Sequence, residues 1–467
     1  MLLIGAILPP LDYFIVNLAL PAIRGGLGAS DVELQFVISA YACANGVVLI
    51  TGGRLGDLYG RKRLFLIAMA GFVAASALCG LAPSAGVLIG GRVLQGVFAA
   101  TLTPQVLAII RSAFAPHEQV RVMGLFGFVY GLAAVIGQLG GGALISLHPF
   151  GLGWRAIFLV NLPIGLVALV GSWRHLPESR PPTGAAIDLP GTALLSVILL
   201  LLIYPLTRGR ELGWPSWAWA SFAAAALLVP LLVVVERRRQ QRGREPLLDL
   251  RLFANPVVVL GLLLAFLFYW MSVFFLALGI YLQNGLQWTP LHAGLAILPF
   301  GVGFLAAPLL LPRLTAALGA PTTLTTSFAL LAIGLALAAQ LAGTAAPSWG
   351  FYLGLSIAGA GQGLTLPSVL RIVLAEVPAQ RAGLASGMIT AMLQIGSAVG
   401  AAVLGGVYFS ALGHHPLATD QAFAFRHAMH ALIAVLAACG LLSPLFVPLH
   451  RRQQRRAALR VCCRSTG

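Results

Sequence analysis

The chain has 467 residues, 59% hydrophobic and 9% charged, with a mean hydropathy of +0.93; a soluble domain carries about a quarter charged residues, so a soluble enzyme or binding module is excluded. The net charge of +16 invites a nucleic-acid partner, but 23 of the 29 Lys and Arg fall in alternate inter-span loops and the C-terminal tail. That is the positive-inside bias of a polytopic membrane protein, with the basic loops against the anionic inner leaflet, and no nucleic-acid partner is expected.

Apolar stretches of about 20 residues, each bounded by charge, Pro/Gly or polar loops, predict fourteen spans. They run approximately 3–23, 33–55, 64–82, 87–111, 121–146, 154–174, 189–207, 217–236, 256–282, 291–312, 321–342, 349–375, 384–411 and 428–449. The fold class is therefore an all-α polytopic membrane protein. The even count and the charge alternation put both termini in the cytoplasm and the chain in a bacterial cytoplasmic (inner) membrane. No basic segment precedes the first apolar run, which argues against a signal peptide. The chain opens almost inside that run, so a short leader ahead of it is expected.

The first span, "ILPPLDYFIVNLALP", holds Asp12. An acid at a helix centre costs roughly 2.5–3.5 kcal/mol on insertion scales, so Asp12 should face the bundle interior with a partner. Arg92, inside the fourth span, is that partner: the first span runs outward and the fourth inward, which brings the two to comparable depth. Protonating the carboxylate would release the arginine, a local two-state switch. Gln95 stands one turn on from Arg92.

Further along, the halves resemble each other. "GRLGDLYGRKRL" after the second span has a worn counterpart in "PRLTAALGAPTTL" after the tenth, with Arg54 over Arg313 and Gly60 over Gly319. "RVLQGV" in the fourth span matches "GAGQGL" in the twelfth, and "APHEQVRVMG", with Arg121, resembles "EVPAQRAGLASG". The expected division is an N-terminal six-helix bundle over 1–180, two central spans and a cytoplasmic linker over 181–251, a C-terminal six-helix bundle over 252–450, and a basic cytoplasmic tail over 451–467. Parallel repeats of this kind place a binding site between the halves, near mid-membrane. The five Cys show neither metal nor disulfide spacing, and no metal site or nucleotide-binding loop is expected.

Five ordered stretches, "LDYFIVNLALP", "GGRLGDLYGRKRL", "GRVLQGVFAA", "GLAAVIGQLGGG" and "WRAIFLVNLPIG", resemble the signature motifs of the major facilitator superfamily, and more narrowly its fourteen-span drug:proton antiporters of the EmrB/QacA type. The resemblance continues through "YLQNGLQWTPLHAGLAILP" and "GLASGMITAMLQIGSAVGAAVLG" and covers almost the whole chain. It implies the major facilitator fold, with Asp12 as proton carrier and Asn17 beside it in the first-span motif. Gly53, Asp57, Gly60, Arg61 and Lys62 match the cytoplasmic gate motif, to which Arg54 and Arg121 are added. The basic residues would latch across to the other half when the inner gate closes. The fifth span departs from its motif, with Gln138 where the family has proline after Gly137. Gly137, Gly140 and Gly141 remain as helix-packing positions.

For cargo, Tyr13, Asn17, Asn45, Gln95, Tyr130, Gln138, Tyr269, Gln362 and Gln394 are candidates to line a central cavity. Apolar and aromatic walls suit amphiphilic compounds, with cation-π contacts for cations. The expected function is proton-coupled export of hydrophobic or cationic drug-like compounds by alternating access, as in multidrug efflux and antibiotic resistance. It needs no cofactor, because the proton gradient supplies the energy. A proton-coupled importer or exporter of one metabolite shares these charges, and a polytopic membrane enzyme would need clustered reactive residues. The expected partners are the small substrate, protons and lipid. A periplasmic adaptor and outer-membrane channel stay open as partners; otherwise a monomer is expected.

Overall fold

The computed structural model describes residues 2–113, 116–176, 178, 188–209, 212–243, 247, 250–377, 382–413 and 417–449. Fourteen long helices account for nearly all of these: α1 Leu2–Leu27, α2 Asp31–Tyr59, α3 Arg61–Gly80, α4 Ala85–Ala113, α5 Pro116–Leu147, α6 Gly153–His175 and α7 Leu189–Arg208. The others are α8 Ser216–Gln241, α9 Pro256–Gly285, α10 Pro290–Leu318, α11 Ala320–Leu341, α12 Trp349–Ala375, α13 Ala382–Leu412 and α14 Ala418–Leu449. Thirteen carry an apolar stretch long enough to cross a bilayer. The other, α5, is 32 residues long. The fourteen-span expectation holds, with α5 beginning five residues earlier than hydropathy suggested.

Helix pairing repeats between the two sets of six. In the first, α2 packs on α4, α3 on α4 and α6, and α1 on α5 and α6. In the second, α10 packs on α12, α11 on α12 and α14, and α9 on α13 and α14. The tight turns repeat as well: Gly60, between α2 and α3, has φ 96° and ψ 132°, and Gly319, between α10 and α11, has φ 80° and ψ 156°. Only glycine adopts that backbone without strain, which explains why it survives in an otherwise worn loop.

The two sets meet along α2 with α13, α5 with α10 and α1 with α9. The additional pair α7 and α8 leans on this seam from one side, α7 touching both α2 and α13, with Thr51 and Thr192 hydroxyls 2.7 Å apart. Asp188 fastens the pair at the face that carries the basic loops. Its carboxylate accepts from Gly191 N at 2.8 Å, capping α7, and from Leu247 N at 3.1 Å, and it forms an ion pair with Arg239, whose Nε lies 3.0 Å away. The linker and both extra helices are thus held by one buried acid.

Inter-set contacts run from mid-depth to the opposite face. There, Leu291 N donates to Ser146 Oγ at 3.0 Å and Gln283 Nε2 donates to Leu18 O at 2.8 Å. At mid-depth Tyr13 Oη and Ser397 Oγ lie 2.6 Å apart, and the Phe14 and Phe275 rings meet edge to face at 5.3 Å. The molecule is sealed on the face away from the basic loops. Helix α9 is not uniform: a 3-10 turn at Tyr269–Met271 interrupts it and a π segment at Tyr281–Gly285 ends it. Such irregularities in mid-helix mark hinges and functional positions.

Candidate functional site

The structure places Asp12 within the first set of helices, fully buried, its carboxylate against the guanidinium of Arg92, itself 1% exposed. Three further helices complete the site. Asp12 Oδ1 accepts from Gln95 Nε2 at 2.9 Å and from Asn161 Nδ2 at 2.8 Å, from α6. Ser76 Oγ on α3 accepts from the same Gln95 Nε2 at 2.8 Å, and Gln95 Oε1 accepts from Arg92 Nη1 at 2.9 Å. Arg92 Nε donates to Val37 O on α2 at 3.0 Å, and its guanidinium lies 4.3 Å from the centroid of the Tyr41 ring.

Each contact has a physical reason. A charge removed from water must be paired and fully hydrogen-bonded, and both lone-pair directions of Asp12 are met by donors from other helices. Arginine suits the position better than lysine, since its planar fork can hold carboxylate, amide and backbone oxygens while stacking on an aromatic face. A desolvated stack of this kind contributes about 2 kcal/mol. Around this one acid and one base, side chains and a backbone carbonyl from α2, α3, α4 and α6 converge.

A second feature lies next to it. A cavity between the halves is lined by Tyr13, Phe14, Tyr41, Asn45, Tyr269 and Gln394 among others, with a volume of about 20 Å³. That is room for a water molecule, whereas a drug-sized ligand needs about 300–1,000 Å³. Cargo of that size requires this cavity to widen.

Of the residues expected at the cargo cavity, Tyr13, Asn45, Tyr269 and Gln394 line it. Four do not. Gln95 belongs to the carboxylate network, because a spacing of three on α4 puts it on the face of Arg92. Asn17 turns back on its own helix, donating to Tyr13 O and Phe14 O. Gln138 is buried where α5 meets α10, its carbonyl against Gly294, and Gln362 is buried within α12. The side chain of Tyr130 lies outside the described residues.

Glycine packing on α5 is split. A side chain at Gly137 or Gly141 would strike the α1 backbone at Leu11 O or Ile15 O, each 3.0 Å from the added carbon. Gly140 faces open space and packs nothing. Among the gate residues, Gly53 sits 3.5 Å from Pro104, measured to an added carbon, and Arg61 Nη1 donates to Ala108 O at 3.4 Å. The N-terminus of α3 is capped by Glu178, whose two oxygens accept from Lys62 N and Arg63 N at 3.1 Å each. An anion is favoured there by the unpaired amides and the helix dipole. The side chains of Arg54, Asp57 and Arg121 lie outside the described residues.

Sequence reasoning missed Asn161, Ser76, Tyr41 and Glu178. Asn161 stands in "WRAIFLVNLPIG", and a lone amide in an apolar span was the available signal. Ser76 and Tyr41 gave none, being ordinary residues in membrane helices.

The family model described as Major Facilitator Superfamily matches residues 2–277 and 258–460. The chain belongs to the Major Facilitator Superfamily. Among relatives of this facilitator is the "Probable actinorhodin transporter" of Streptomyces coelicolor, 37% identical over 100% of this chain and 79% of that protein. The "Puromycin resistance protein pur8" of Streptomyces alboniger is 35% identical over 93% of this chain and 89% of that protein. A solved structure of a proton dependent oligopeptide transporter superposes with a TM-score of 0.64 at 16% identity, covering 97% of the facilitator and 98% of that chain. At that identity the likeness concerns the fold. The facilitator is a multi-pass membrane protein.

Proposed function

We propose that this facilitator exports small hydrophobic or cationic drug-like compounds across the cytoplasmic membrane in exchange for protons. The observation that carries the reading is the buried, hydrogen-bonded Asp12–Arg92 pair standing beside a cavity between the two halves. Support for the class of cargo comes from the names of the relatives, a transporter of one antibiotic and a resistance protein against another.

In the cycle proposed here, both termini and the basic loops face the cytoplasm, and the cavity opens to that side to take cargo from the cytoplasm or inner leaflet. The halves 1–180 and 252–450 rock about the seam, with 181–251 riding on its edge. A proton from the outer side then reaches Asp12 and neutralises it. Arg92 then loses its charged partner, the seam rearranges and cargo leaves. Proton loss to the cytoplasm restores the pair. The energy is adequate, at about 2.3 kcal/mol per charge per 100 mV. The gradient takes the place of a cofactor, and Arg61 and Lys62 latch the inner gate in the outward state.

Direction decides between export and import. Inverted membrane vesicles from cells lacking their own pumps, energised to acidify the lumen, should accumulate the lipophilic monocation ethidium when they carry this protein. Collapse of the gradient should release it. Accumulation in right-side-out vesicles instead would establish an importer and overturn the reading.

A further inference from the structure

We propose that Tyr41 and Tyr13 form the mechanical relay by which the charge state of Asp12 governs the bond between the two halves. The proposal rests on the proton-switch reading above and adds to it the path of transmission. Asp12 itself is fully buried and does not line the cavity. Neither cargo nor the far half reaches it directly, so something between must carry the signal.

One side chain spans that gap. Tyr41 is 1% exposed, yet it has three distinct surroundings. Its ring face carries the Arg92 guanidinium at 4.3 Å. Its hydroxyl donates to Pro9 O on α1 at 3.1 Å. Its remaining side contributes to the cavity wall, where it meets the Tyr13 ring at a centroid distance of 6.0 Å and a tilt of 40°. Tyr13 in turn makes the hydroxyl contact of 2.6 Å with Ser397 on α13, in the other half. Ser397 is fully buried, and its backbone carbonyl accepts from Ser272 Oγ on α9 at 3.0 Å. A contiguous chain therefore runs from carboxylate to guanidinium, to ring, to ring, to the opposite bundle.

The physics gives the chain two positions. With Asp12 charged, Arg92 is held in a fork between the carboxylate, Gln95 and Val37 O, and its flat face fixes Tyr41. Once Asp12 is neutral, the fork loses its strongest acceptor and the guanidinium is free to shift. Tyr41 then keeps its bond to Pro9 O on α1 but loses the cation that fixes its ring, and Tyr13 loses the fixed wall that aims its hydroxyl at Ser397. The groups facing Asp12 that carry or can acquire charge are Arg92 on α4, Cys79 on α3, Tyr41 on α2 and its own neighbour Tyr13. Arg92 is the one among them that both touches the acid and touches the relay. Cargo entering the cavity presses on the same two rings from the other side, so proton and cargo act on one element. Tyr41 and Tyr13 are positioning residues in this scheme and exchange no proton.

The test reads the distance between the halves without any cargo. Spin labels are placed at Leu147→Cys and Leu417→Cys, both well exposed at the sealed face, 74% and 69%, in the full chain with Cys79, whose Sγ lies 3.3 Å from Gln95 Oε1, replaced by serine and the other four native cysteines by alanine. Pulsed electron resonance is then recorded with and without Asp12→Asn. We expect Asp12→Asn to raise the ratio of long to short distances by about tenfold, the size of one charge-assisted contact. In a Tyr41→Leu background the same substitution should change the ratio by less than about twofold. Tyr41→Phe, which keeps the ring under Arg92, should restore most of the response. Ser397→Ala, which leaves the Arg92 platform untouched, should blunt it and guards against a folding defect in Tyr41→Leu. A full Asp12→Asn response persisting in Tyr41→Leu and Ser397→Ala would overturn the relay alone. No response to Asp12→Asn in the otherwise native chain would overturn the switch reading and the relay together.

Discussion

A single carboxylate illustrates how a membrane protein keeps a charge in oil. Asp12 is tolerated because donors and acceptors from four other helices converge around it and Arg92. Asn161 provides the cleanest test at this scale. Its amide donates to Asp12 Oδ1 at 2.8 Å and lies 3.3 Å from Ser76 Oγ, and a hydrogen bond to a charged group is worth about 1.5–3 kcal/mol. Asn161→Ala should therefore lower the unfolding midpoint of the detergent-solubilised protein by several degrees and reduce ethidium efflux. An unchanged midpoint would mean that the amide does not hold the carboxylate. At this same scale the sequence was informative about charge and poor about amides. Asp12 and Arg92 announce themselves because an ion in an apolar run must have a partner. Gln95, Asn17, Gln138 and Gln362 carry no such obligation, since an amide can satisfy itself on its own helix, as Asn17 does, and hydropathy cannot say which way it turns.

Helix-level features follow from small residues and interruptions. Gly137 and Gly141, four apart on α5, lie one above the other and let α1 approach at backbone distance, while Gly140 has rotated off that face. Four-residue spacing carried this distinction, and treating the three glycines as equivalent obscured it. A bulky side chain forced into a packed crossing costs about 1–3 kcal/mol. Gly141→Leu should accordingly lower both the unfolding midpoint and transport, whereas Gly140→Leu should leave the midpoint within a degree or two. Equal effects, measured by fluorescence-detected thermal unfolding, would contradict the crossing described here. The 3-10 and π forms in α9 were not legible. Their cause is tertiary: the 3-10 turn puts Tyr269 at the cavity wall, and the π segment aims Gln283 at a carbonyl of α1. Nothing in "FYWMSV" marks the 3-10 turn, and the Asn-Gly of "YLQNG" signals a helix end without its π form.

For the whole molecule, hydropathy and loop charge were sufficient to count the spans, because the bilayer imposes one length and one backbone solution on every segment. The worn repeat of Gly60 and Gly319 was sufficient to suggest two related sets of helices. What the sequence does not carry is the state of the molecule. Contact along α2 with α13 and α5 with α10, a cavity of about 20 Å³, and Glu178 seated on the end of α3 are properties of one member of a conformational ensemble. The account joins the proposed cycle to one proton at one residue. Its most direct test is to reconstitute the native protein and Asp12→Asn in liposomes and follow internal pH with a trapped dye on addition of ethidium. The native protein should move protons when ethidium is added, and Asp12→Asn should bind ethidium while moving none. Ethidium-driven proton movement of native size in Asp12→Asn would contradict the central claim.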